Sequence, residues 1–64
     1  MITSTPLPKI GAPATRALEA AGYDFLEDLD GVSRRSLLTL HGVGPRAIRI
    51  LGEALTLRGM AFAD

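Results

Sequence analysis

Apolar residues recur at helical spacing in four stretches of the chain, separated by glycine, proline and short polar runs. Ala14, Ala17, Leu18 and Ala21 share one face, predicting a helix over about 13–21 that Pro13 opens and Gly22 stops. Phe25, Leu26 and Leu29 predict a short core-facing helix over 25–29. Asp24 is its expected N-cap, Glu27 completes a capping-box variant, and Asp30-Gly31 is the turn that follows. Leu37, Leu38 and Leu40 predict a buried third helix over 34–40, capped by Ser33. Ala47, Ile48, Ile50, Leu51, Ala54 and Leu55 give the broadest apolar face, on a helix over 45–58 that Gly59 closes. Met60 and Phe62 are then expected to fold back onto the core. The pattern is all-α: a compact bundle of four to five short helices. Residues 1–6, with Thr3, Ser4, Thr5 and Pro6, read as a flexible leader, and residues 7–64 as the domain.

The junction between the last two helices is the most informative run: Leu40-His41-Gly42-Val43-Gly44-Pro45-Arg46-Ala47. Gly42 suits the left-handed stop of one helix, Gly44 permits a second bend, and Pro45 suits the first position of the next helix. Such a hairpin bares backbone N–H groups beside the positive end of a helix, where one phosphate can sit. A phosphate held by backbone carries no base information, so such binding tolerates any sequence.

The chain also repeats itself. Ile10-Gly11-Ala12-Pro13-Ala14-Thr15-Arg16-Ala17-Leu18 matches the run from Val43 to Leu51, each residue standing 33 positions before its counterpart. Leu7 meets Leu40, and Gly22-Tyr23-Asp24-Phe25 is echoed by Gly59-Met60-Ala61-Phe62. The first unit departs from the second at Lys9, which stands where Gly42 stands.

Leu40, Gly42, Val43, Gly44 and Ala47 fit the helix-hairpin-helix pattern hydrophobic-x-Gly-hydrophobic-Gly-x-x-Ala. The duplicated arrangement over residues 7–62 resembles the tandem helix-hairpin-helix domain. Within that group it is similar to the C-terminal domain of the bacterial RNA polymerase alpha subunit. The resemblance implies two pseudo-symmetric helix-hairpin-helix units in a SAM-domain-like fold, presenting both hairpins on one side. Pro13 stands where the polymerase domain has an arginine that reads the minor groove, and Arg16 where it has an asparagine. Its lysine and serine after the second hairpin glycine fall on Arg46 and Ala47, and its acidic third-helix start is replaced by Arg34-Arg35. The resemblance therefore implies the fold and hairpin-style phosphate contact rather than promoter recognition.

Composition narrows the partner. Sixty-four residues allow one domain near the lower limit for a self-sufficient core, and with zero cysteines no disulfide supplements it. Net charge is zero, which offers no general attraction to nucleic acid, but the charges are segregated. Glu19, Asp24, Glu27, Asp28 and Asp30 follow one another without an intervening base, and Arg34, Arg35, Arg46 and Arg49 without an intervening acid. No membrane span or signal peptide is visible, so the expected location is cytoplasmic. One His, no Cys, no nucleotide loop and no ligand cluster indicate no enzyme, metal, cofactor or small-molecule substrate.

The expected activity is contact with duplex DNA phosphates, without sequence preference, across the minor groove. The chain could serve as an accessory to a larger protein complex. The residues assigned to it are Lys9, Gly11, Arg16, His41, Gly42, Val43, Gly44, Arg46 and Arg49. Arg46 opposes the dipole of its helix unless an anion sits there, and Arg49 lies one turn on. His41 could touch a phosphate from the hairpin but reads first as a solvated turn residue, and Tyr23, Phe25 and Phe62 read as core anchors rather than stacking platforms. The alternative is a protein–protein interaction module of the same fold without DNA binding.

Overall fold

Glycine and proline set the helix starts and stops, and the structure, a computed structural model describing residues 4–64, places them close to those signals. Its helical elements are α1 (Ala12–Ala20), a 3-10 turn (Leu26–Leu29), α2 (Arg34–Leu38) and α3 (Pro45–Leu57). No strand ladder forms among the described residues, where Pro6 and Phe25 meet only in an isolated antiparallel bridge. The radius of gyration is 10.6 Å. A folded chain of this length should measure about 10.7 Å, so the elements pack as one body.

α1 and α3 share a hydrogen-bond pattern at both ends. The carbonyls of Gly11 and Gly44, their N-caps, accept the first helical bonds from Thr15 (3.0 Å) and Ile48 (3.1 Å). Gly22 and Gly59, at φ 94° and 74°, stop the two helices. Behind them Tyr23 N–H reaches back to Leu18 and Met60 N–H to Leu55, both at 2.8 Å, in the Schellman pattern. α3 runs 13 residues and α1 only 9, so α3 carries one further turn.

Leu18, Leu26, Leu29, Leu37, Leu51 and Leu55 are fully buried, and α3 contributes the most core residues of any element. The C-terminal tail closes over this core as expected, with Phe62 buried and Met60 half-buried. Backbone bonds strap it down: Gly31 N–H to Ala61 at 2.8 Å and Ala63 N–H to Val32 at 2.9 Å. Asp64 then accepts bonds from the Arg34 amide (2.7 Å) and the Ser33 hydroxyl (2.8 Å), capping α2 from a distance. Those bonds hold the Asp64 carboxyl below the usual carboxylate range.

Four local expectations need correction. The second helix is a single 3-10 turn, and its capping carboxylate is Asp28: one Oδ accepts from the Asp24 and Phe25 amides, each at 3.0 Å. Glu27 is turned the other way, where the Thr5 amide donates to it at 2.8 Å and the Thr5 hydroxyl also bonds it. These bonds lower the Glu27 pKa. Phe25 is extended at the turn's start and remains 43% exposed, outside the core. α2 stops after five residues, so Leu37 points inward while Leu38, on the flank, is 45% exposed.

The expected leader divides. Residues 1–3 lie outside the described residues, whereas Thr5 and Pro6 are docked by the Glu27 bonds, by Leu26 N–H to the Thr5 carbonyl (2.9 Å) and by the Pro6–Phe25 bridge. No helix of the described residues is long and apolar enough to cross a membrane.

Candidate nucleic-acid interface

The second hairpin, between α2 and α3, has one glycine that geometry requires. Gly42 has φ 99°, a conformation that L side chains rarely adopt. A Cβ there would also stand 2.7 Å from the Pro13 carbonyl oxygen. The bend therefore lies directly on the first turn of α1. This contact brings two glycine bends, separated by about thirty residues of chain, side by side.

Between them lies a shallow depression of about 440 Å³. Lys9, Ile10 and Gly11 line it from the first bend, and Gly42, Gly44, Arg46, Ala47 and Ile50 from the second. None of these lining residues is acidic. Lys9, Gly11, Gly42 and Arg46 are exposed, so the depression opens to solvent. The Arg46 and Ala47 amides belong to the first turn of α3, where no carbonyl one turn back within the helix is available to them. The start of α3 and two cationic residues, Lys9 and Arg46, thus line one concave surface, an arrangement suited to an anion. Ile50, expected in the core, is half-buried and forms part of the apolar floor, since it follows Arg46 by one helical turn.

Five of the nine assigned residues meet here: Lys9, Gly11, Gly42, Gly44 and Arg46. Val43 sends its side chain into the core, leaving only its backbone to a ligand, and its N–H is already bonded to Leu40 at 3.1 Å. Arg16 and His41 are exposed but do not line the depression. Arg49 is exposed on another flank of α3, where it lines a groove with Arg34 and Glu53. Among the described residues no group of three or more His, Cys, Asp or Glu is placed to hold a metal.

No family model matches this chain, and neither a curated protein nor a solved structure matches it significantly.

Proposed function

We propose that the chain is a small DNA-binding module that holds duplex phosphates, without sequence preference, in the depression between its two glycine bends. The observation that carries this reading is the meeting of Lys9, Gly11, Gly42, Gly44 and Arg46 on one surface that no carboxylate lines. Backbone amides and the α3 N-terminus position the phosphate, and Lys9 and Arg46 neutralise it. Arg16 and His41 extend the contact to neighbouring phosphates, whereas Arg49, assigned with them from the sequence, faces the other flank of α3 and takes no part. The two bends act as paired helix-hairpin-helix units of a tandem, SAM-domain-like domain, a reading that the matched starts and stops of α1 and α3 support. Such a module works in the cytoplasm, as an accessory to a larger complex.

Fluorescence anisotropy with a labelled duplex at about 50 mM salt tests this. With Lys9, Arg16 and Arg46 neutralising two or three phosphates, log K should fall against log salt with a slope of about −2 to −3, and two unrelated duplex sequences should bind alike. Arg46→Glu should abolish binding while leaving the fold at least as stable, because an acid in the first turn of α3 favours the helix dipole. Absence of binding at tens of micromolar protein in that buffer, or full binding by Arg46→Glu, overturns the proposal.

A further inference from the structure

The flank of α3 turned away from the depression carries a second, larger groove of about 820 Å³, and its charges have a pattern of their own. Pro45, Arg49, Gly52 and Thr56 lie in one row along the helix, at spacings of three and four residues. Glu53 follows Arg49 by one turn. Leu38 of α2 forms part of the wall and Leu57 closes the far end. The described chain exposes three large apolar side chains, and two of them, Leu38 (45%) and Leu57 (87%), line this groove. Gly52 puts no side chain into its middle. Of the three charged residues that line the groove, Arg34 lies over the Phe62 ring, 5.4 Å from its centroid. The ridge Pro45-Arg49-Glu53-Leu57 beside it is self-complementary, since turning it end for end about a point between Arg49 and Glu53 sets each arginine opposite a glutamate and each Leu57 over a Pro45. A core this small gains most from an additional apolar contact.

We propose that the groove is occupied by a second copy of this chain, in a twofold pair whose α3 helices run antiparallel and cross near Gly52. Arg49 of each copy pairs with Glu53 of the other, and Leu57 of each covers the Pro45 end of its partner. The contact is limited by α3, which is about 20 Å long, so the pair is weaker than a standard-sized interface would make it. The proposal does not depend on DNA binding, because the groove and the depression lie on different flanks of α3.

Sedimentation equilibrium without DNA, from about 10 µM to 1 mM, tests it, because only weak association is expected of so short a contact. The wild-type protein should move from monomer toward dimer across that range. Arg49→Glu and Glu53→Arg alone each place like charges opposite one another and should weaken association at least about tenfold. An equimolar mixture of the two single variants should associate again, and so should the double variant, because both restore opposite charges. Circular dichroism checks that each variant is folded. Leu57→Asp, at a position too exposed to carry the fold, provides an independent loss of association. A protein monomeric to 1 mM, single variants that associate like wild type, or a double variant that stays monomeric overturns the proposal; in particular, a groove meant for a different acidic or basic partner would not recover with the charges exchanged.

Discussion

The two halves of the repeat begin and end alike, yet they spend the same residue types differently. Gly11 and Gly44 both cap helices, but the positive φ of 95° falls on Gly11 while Gly44 is extended at −116°. In the second half the left-handed residue is Gly42, and it is the crowded one. A Cβ at Gly11 would find only the Pro13 Cδ at 3.9 Å, and one at Gly44 would find open space. The phenylalanines of the echo diverge as well: Phe62 is 8% exposed and Phe25 43%. Phe62 follows a helix whose C-terminal tail is strapped across the core, whereas Phe25 opens the 3-10 turn on a peripheral bridge. Signals duplicated in sequence therefore repeat the helix starts and the glycine stops, but not the backbone angles at the N-caps, and the value of each residue depends on what packs against it.

Substitution at the phenylalanines should separate the halves most. Phe62→Ala is expected to cost about 3–4 kcal/mol in urea unfolding, a large share of the stability of so small a domain. Phe25→Ala should cost about 1 kcal/mol or less, because much of its area already faces water. Comparable losses would mean that the first half also leans on its aromatic.

The glycines come next. Gly42→Ala combines backbone strain with a clash against a main-chain oxygen, and should cost about 2–4 kcal/mol. Gly11→Ala carries the strain alone, about 1–2 kcal/mol. At Gly44 a small loss of capping preference is offset by a less flexible unfolded chain, so Gly44→Ala should change stability by no more than about 0.5 kcal/mol. If the three midpoints shifted equally, crowding against Pro13 would not be what distinguishes the second bend.

Acid should have the smallest effect, through both chain ends. The carboxyls of Glu27 and Asp64 are held below their ordinary range by bonds from Thr5 and from Arg34 and Ser33 respectively. A carboxyl with a depressed folded pKa contributes stability that is complete above its unfolded value and is lost as pH falls toward the folded one. Thermal midpoints should therefore hold at neutral pH and decline as pH drops below about 4–5. Glu27→Gln should flatten part of that decline by loosening Thr5, and Asp64→Asn another part by loosening the cap on α2. An unchanged acid profile in the double variant would show that neither end depends on its carboxylate.

The sequence alone was sufficient for the helix positions within a residue or two, because caps, stops and helical faces are set by residues within four or five positions of one another. It was also sufficient to mark Gly42, Gly44 and Arg46 as neighbours in one hairpin. Tertiary structure decided what required distant partners: Glu27 turned to Thr5 rather than to its own helix start, and Asp64 capped α2 from 30 residues further along the chain. It decided that Lys9 and Arg46 share a surface, and that Arg49, though only three residues from Arg46, faces a different groove. A side chain's direction on α3 follows from helical periodicity, but what it meets there is fixed only once α1 and α2 have packed against that helix.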